Sequence, residues 1–243
     1  MKTKKSRLFS GIIVLTMALG LSLLTAPTVR AITMADLLGG LDVVIGDKSF
    51  ENWREYVSVG TNGAEAVWPS SISVSFSLIN PYLYKVDYQS GIMSVGQNQI
   101  QDTRFTYDVR VITGEPRLED NGLNLISFGL GLNAESDLAS LSISETVTDA
   151  DGNPLGRIKE VYDDHGEIVA SDYISWDPPV AFLTVKNDIK LSGDNQQGAI
   201  AFIGEFTQTF SQTAAVPEPA TMLLLGSGLI GLAGYGRKKL FKK

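Results

Sequence analysis

The stretch Ser71-Ile72-Ser73-Val74-Ser75-Phe76-Ser77-Leu78 alternates hydroxyl with apolar side chains through four periods. A period of two places every apolar group on one face of an extended strand, whereas a helix would scatter them around its circumference. A half-buried antiparallel strand is therefore expected here. The same alternation recurs at Phe105, Tyr107, Val109 and Val111, and at Ile126, Phe128, Leu130 and Leu132. It returns at Leu141, Ile143 and Val147, at Leu183, Val185, Ile189 and Leu191, and in a last run through Ile200, Phe202, Phe206 and Phe210. Between the two terminal segments, only Met34–Leu38 has helical character.

Turn residues fall between these runs. Asp151-Gly152-Asn153-Pro154 separates Leu141–Thr148 from Leu155–Tyr162, and Asp163-Asp164-His165-Gly166 separates that run from Glu167–Ser175. The pattern predicts a three-stranded meander. Further breaks lie at Asn80-Pro81, Ser90-Gly91, Gly114-Glu115-Pro116, Asn121-Gly122, Pro178-Pro179 and Ser192-Gly193-Asp194-Asn195. About nine or ten strands at this spacing predict an all-β fold, a two-sheet antiparallel β-sandwich. No internal repeat or low-complexity linker divides it, so residues 32–207 read as one exported domain, followed by a polar stalk at 208–215.

The formal charge of −7 over 243 residues hides two basic ends around an acidic middle. Residues 1–31 carry Lys2, Lys4, Lys5, Arg7 and Arg30 with no acid, and residues 217–243 carry five cations against Glu218 alone. Ile32–Val216 is left with 10 basic and 26 acidic groups, a net of −16 over 185 residues. Such a surface excludes nucleic acid as a partner, because phosphate binding requires a basic footprint. With no cysteine and only His165, thiolate zinc sites, cysteine nucleophiles and multi-histidine metal sites are excluded as well.

Lys2–Arg7, the apolar run Leu8–Leu24 and the small residues around Ala26–Ala31 have the three-part order of a secretory signal peptide, residues 1–31. Cleavage after Ala31 fits better than after Ala26, where Pro27 would follow the scissile bond. An uncleaved anchor is the alternative. At the other end, Val216-Pro217-Glu218-Pro219 precedes the uncharged run Ala220–Gly236, and Arg237, Lys238 and Lys239 open a basic tail. Seventeen residues at helical rise span roughly 25 Å, enough for a short transmembrane helix. The cations that follow fix its C-terminal end inside, with residues 32–216 outside.

The order Val-Pro-Glu-Pro, glycine-bearing apolar helix and basic tail over the last 28 residues resembles the PEP-CTERM sorting signal of bacterial exported proteins. The resemblance implies recognition by an exosortase, processing near Pro217-Glu218-Pro219, an inner-membrane precursor delivered by the secretion machinery, and an exopolysaccharide or biofilm setting at the cell surface or in the matrix. Gly46-Asp47-Lys48-Ser49-Phe50 and Phe210-Ser211-Gln212-Thr213 further resemble segments of one group of PEP-CTERM exoproteins, those with Gly-Asp-Lys-x-Phe near the mature N-terminus. That group supplies no activity to transfer.

In the domain itself, Asp149, Asp151, Asn153 and Glu160 match positions one, three, five and twelve of a calcium loop. Pro154 where glycine is needed, Arg157 at the ninth position and strand-like flanks favour a plain turn. Calcium is the sole cofactor the residues could suggest; no catalytic residue is assigned. Asp163, Asp164, His165 and Glu167 have acid/base chemistry but lie on a turn, and Gly-x-Ser-x-Gly is absent. The domain is therefore expected not to be an enzyme; a polysaccharide hydrolase ranks last. Trp53, Trp68, Trp176, Tyr82, Tyr84 and Tyr88 offer either core rings or a platform for sugars, which makes a carbohydrate-binding module the alternative to a structural or interaction role. Glu145 shares the inward face of Leu141, Ile143 and Val147 and needs a partner, with Arg104, Arg110 and Arg157 as candidates.

Overall fold

The computed structural model describes residues 30–114, 117–130, 139–164, 167–193 and 198–213, together with Ser227 and Leu229. Within them the chain runs β1 (Arg30–Thr33), α1 (Met34–Leu38), β2 (Val43–Ile45), β3 (Lys48–Thr61), β4 (Ile72–Asn80), β5 (Leu83–Val95), β6 (Ile100–Val111) and β7 (Leu118–Leu130). It continues through β8 (Ala139–Thr148), β9 (Lys159–Asp164), β10 (Glu167–Val169), β11 (Ser171–Val180), β12 (Phe182–Gly193) and β13 (Ala201–Gln212). The strands form two antiparallel sheets, a six-stranded one ordered β1-β4-β5-β13-β7-β11 and a seven-stranded one ordered β10-β9-β8-β12-β6-β3-β2.

The two sheets face each other across an aromatic core. Trp53 of β3 stacks on Tyr107 of β6 at 4.2 Å and meets Phe76 of β4, in the opposite sheet, edge-on at 6.2 Å. Tyr88 of β5 stacks on Phe206 of β13 at 4.5 Å, and Phe50 of β3 lies 5.1 Å from Phe76. Ser71–Leu78 delivers what its alternation predicted: Ile72, Val74 and Phe76 are all buried in β4. Met34–Leu38 is the expected helix, closed by a capping box between Thr33 and Asp36 that turns Met34 and Leu37 into the core.

Thirteen strands are described where nine or ten were expected, and local geometry accounts for the excess. β1, β2 and β10 have three or four residues each, too short to show a period. β3 carries two irregularities in its pairing with β6, between Glu51 and Arg54 and between Arg54 and Val57, with Asn52 and Glu55 at φ of 54° and 56°. Each bulge shifts parity and erases the alternation that would have revealed the strand. The predicted meander divides at Ala170. β10 stays beside β9 in the seven-stranded sheet, while β11 crosses to pair with β7 in the other.

Parity shifts also turn residues that the sequence placed inward. Irregular pairing of β13 around Ile203–Phe206 exchanges the faces of both partners. Ala201 and Ile203 are buried while Phe202 is exposed, and past the bulge Phe206 and Phe210 point inward. On β7, Leu123 and Leu125 are buried and Ile126 is exposed. β13 also runs on through Gln212, so residues 208–212 are strand rather than stalk. Their polar inward members, Gln208 and Gln212, hid the alternation with Phe206 and Phe210.

The long edge of β3 past β2 is covered by its own loop. Val67 N donates to Ser58 Oγ at 2.8 Å, Tyr56 Oη to the Val67 carbonyl at 2.7 Å, and Gln101 Nε2 to the Glu65 carbonyl at 2.7 Å. A Cβ on Gly60 would stand 2.0 Å from the Ala64 carbonyl oxygen, so glycine is what lets this loop close on the strand. The cover protects an edge otherwise open to pairing with another chain.

Candidate functional site

Val216, Pro217, Glu218 and Pro219, the cations Arg237, Lys238 and Lys239, and His165 lie outside the described residues, as does nearly all of the expected transmembrane helix. Among the described residues no helix is long and apolar enough to cross a membrane. Ala31 falls within β1, which pairs Arg30–Thr33 with Phe76–Ser73 of β4. Cleavage after Ala31 would leave Ile32 and Thr33 as the paired remainder.

The calcium-loop residues do not converge. Asp149 accepts the backbone N–H groups of Asp151 and Asn153 at 2.9 and 2.8 Å and the Asn153 side chain at 3.1 Å, as in an Asx turn. Glu160 sits on β9 opposite Ser144, five residues along β8 from Asp149 and thus roughly 16 Å away. No group of three or more Asp, Glu or His among the described residues is placed to hold a metal ion.

The six candidate rings make no platform. Trp53, Tyr84 and Tyr88 are core residues, and Trp176 is half-buried with Nε1 donating to the Leu118 carbonyl at 2.8 Å. Trp68 and Tyr82 are exposed, but they flank opposite ends of β4, roughly 30 Å apart along the strand direction.

The two resembling segments meet across the sheets. Lys48 of β3, fully buried, places Nζ 2.8 Å from Asp47 Oδ1, 4.9 Å from the Tyr84 ring centroid and against Gln212 Oε1 of β13. Phe50 packs on Phe210, centroids 5.8 Å apart. Gly46, at φ 59°, leaves room for the Tyr84 hydroxyl, which donates to Asp47. Burial works against the charged Asp47 carboxylate, but hydrogen bonds from Lys48 and Tyr84 outweigh it and hold its pKa below the ordinary value. Burial pushes the Lys48 amine down. Gly46–Phe50 and Phe210–Gln212 thus form one inter-sheet clasp.

A second polar centre lies deeper. Glu145 of β8 is fully buried, and its partner is Lys159 of β9, Nζ to Oε1 2.5 Å, not an arginine. Arg104 instead pairs with Asp102 and Asp188, Arg110 with Glu51, and Arg157 with Asp172. Glu145 Oε2 accepts from Gln208 Nε2 of β13, which also donates to Asn187 Oδ1 of β12 at 2.8 Å. Gln208 Oε1 accepts the hydroxyls of Tyr88 and Tyr107 at 2.7 and 2.5 Å. Burial raises the pKa of Glu145, with Lys159 opposing, and burial raises both tyrosines well above their usual range.

On the outer face of the seven-stranded sheet, a groove of about 490 Å³ runs between β9–β10 and β12. Its floor is the hydroxyl row Ser140 and Ser142 of β8, with Ser192 beside it. Tyr162, Glu160 and Glu167 stand on one side, Lys190 and Ile100 on the other. The Tyr162 hydroxyl donates to Glu167 at 3.0 Å. Sequence reading passed over this groove because Tyr162 stood in no aromatic cluster; its signal was the serines alternating along β8.

Residues 215–238 match the PEP-CTERM protein-sorting motif, the mark of an exosortase-sorted surface protein exported as a membrane-anchored precursor. No curated protein matches the chain. Among solved structures the chain is similar to TmCBM61 in complex with beta-1,4-galactotriose, at 14% identity over 64% of this chain and 86% of that one, TM-score 0.27. It is similar also to the enzymatically active domain of tailspike protein 4 of Bacteriophage CBA120, at 15% identity, 64% and 19% coverage and TM-score 0.25. A third is the Arthrobacter globiformis T6 isomalto-dextranase complexed with panose, at 16%, 63% and 23%, TM-score 0.23. The chain spans about a fifth of the length of the last two. At such TM-scores the fold stands on its own strands and not on these likenesses.

Proposed function

We propose that the chain is a structural or interaction protein of the extracellular matrix, of the exopolysaccharide or biofilm kind, released to the surface by exosortase processing near Pro217-Glu218-Pro219. The match of residues 215–238 to the sorting motif carries this reading. The domain suits the role. Its core is locked by two inter-sheet polar centres, and its net charge of −16 between Ile32 and Val216 keeps it soluble and apart from anionic surfaces. No reaction and no resident metal enter this reading.

Intact mass and fractionation test it, comparing the native protein with a variant carrying Pro217→Ala, Glu218→Ala and Pro219→Ala. The native protein is expected to lose both ends, near Ala31 and near Pro217, and to move outward, while the variant stays full-length at its C-terminus in the inner membrane. Retention of Ala220–Lys243 by both forms would defeat the proposal.

The groove on the seven-stranded sheet supports glycan binding as a second reading. Tyr162 offers a ring for an apolar sugar face, and Ser140, Ser142, Ser192, Glu160 and Lys190 offer hydrogen-bonding partners for sugar hydroxyls. In affinity electrophoresis through the host's own exopolysaccharide, Tyr162→Ala should weaken retardation by about tenfold. Equal mobility shifts for variant and parent would remove the groove from consideration.

A further inference from the structure

The buried centre of the domain has the parts of an acyl-transfer site with no external substrate. Lys159 Nζ is sealed from solvent and, among the described residues, pairs with Glu145 Oε1 alone, at 2.5 Å. An ammonium has three donors, and here two of them would face the buried core unpaired, a costly way to keep the charge. The other oxygen of the same carboxylate holds the amide nitrogen of Gln208. Amine and carboxamide are therefore separated by no more than one carboxylate and its two contacts. The orientation of Gln208 is fixed: only its NH₂ can face the carboxylate, which accepts and cannot donate when ionised.

The Gln208 carbonyl oxygen receives two hydroxyl donors, Tyr88 at 2.7 Å from β5 and Tyr107 at 2.5 Å from β6. Two preorganised donors on one carbonyl oxygen, at a site sealed from solvent, are the arrangement that stabilises a tetrahedral oxyanion. Asn187, the other carboxamide here, lacks it: among the described residues its oxygen receives only the Gln208 amide, and its Nδ2 has no partner.

We propose that Lys159 and Gln208 form an intramolecular amide cross-link between the two sheets, with Glu145 as the proton carrier. The Glu145 carboxylate takes one proton from the Lys159 ammonium. The neutral amine attacks Gln208 Cδ, forming the Nζ–Cδ bond and an oxyanion held by Tyr88 and Tyr107. Glu145 gives its proton to Nε2, the Cδ–Nε2 bond breaks, and ammonia leaves as the new amide nitrogen returns a proton to Glu145. The products are one secondary amide, one ammonia and a neutral Glu145. Burial raises the pKa of Glu145, which suits a carboxyl group that ends neutral once its cation is consumed.

Mass spectrometry of the folded full-length chain tests this directly. The expected mass is that of the sequence less one ammonia, and proteolysis should yield one branched peptide joining the Lys159 and Gln208 segments. A mass equal to the sequence overturns the proposal. So does loss of water with a Lys159–Glu145 link, or a branch mapped to Asn187 or to the Lys48–Gln212 clasp instead. Glu145→Gln removes the proton carrier and should leave the unmodified mass. Because that variant also strands Lys159, Tyr107→Phe serves as the milder probe. It removes one oxyanion donor and should slow appearance of the branched peptide after synthesis by about a hundredfold, and an unchanged rate would overturn the role assigned to the hydroxyl.

Discussion

Lys159→Met should lower the free energy of unfolding by about 3–5 kcal/mol at neutral pH, because it leaves the buried Glu145 carboxylate without its cation, held by the Gln208 amide alone. The loss should depend on pH in one direction. Burial already raises the Glu145 pKa in the folded protein, and Lys159 is what opposes that rise. Without Lys159 the folded state holds the Glu145 proton to higher pH than the unfolded chain does. A carboxyl group with a raised folded pKa costs nothing below its unfolded value, roughly 4.3, and costs most above its folded value. The deficit of the variant should therefore shrink as pH falls from neutrality towards 4, read from urea midpoints across that range. A deficit constant with pH would mean that lost packing, and not a stranded carboxylate, is the cause. Glu145→Met together with Lys159→Met should recover most of the loss, since apolar replacement of both members of a buried pair is tolerated.

Phe50→Ala should cost about 3–5 kcal/mol in the same denaturation experiment. Phe50 is buried between Phe76 and Phe210, 5.1 and 5.8 Å away, so truncation opens a cavity bounded by both sheets with little freedom to collapse. Phe210→Ala removes the other side of one contact, and the two losses should fall short of additivity by about 0.5–1.5 kcal/mol. A cost below about 1.5 kcal/mol for Phe50→Ala would show that the clasp around Lys48 holds the sheets without the ring beneath it.

What could be read in the sequence followed from how cleanly polarity alternated. β4, β8 and β12 keep one parity throughout, and their buried residues are the ones the period of two selects; β6 keeps its parity too, but Thr106 and Asp108 of the other face are buried alongside Phe105, Tyr107 and Val109. β3 could not be seen because Asn52 and Glu55, in left-handed conformations, reset its parity twice within five residues. On β9 the pattern misled outright: Lys159 is fully buried while Ile158 beside it is 58% exposed. Hydropathy alone would exchange them, and only the cross-strand position of Lys159 opposite Glu145 explains why the lysine is inside. Glu145 itself was legible as an inward carboxylate in need of a partner. The partner was not, because cross-strand neighbours are set by register, which bulges and turns decide.

The Gly-Asp-Lys-x-Phe segment shows the same limit from the other side. As a string it suggested kinship and no mechanism. In the fold, Gly46 makes room for a hydroxyl, Asp47 holds Lys48, Lys48 meets Gln212, and Phe50 meets Phe210. The segment reads as a means of closing the domain by its last strand. The groove at Tyr162 had no counterpart in the string, since its walls come from strands separated by dozens of residues.

β13 lies between β5 and β7 at the middle of its sheet and is the last described strand, ending at Gln212. A tether continuing from its C-terminal end would pull along the strand's length. Tension of that kind shears two hydrogen-bond ladders at once instead of unzipping one bond at a time, and Gln208 and Gln212 add cross-braces to the opposite sheet. The end of the domain from which such a tether leaves would then be its strongest point under tension, and the short edge strands β1, β2 and β10 would be the parts free to yield.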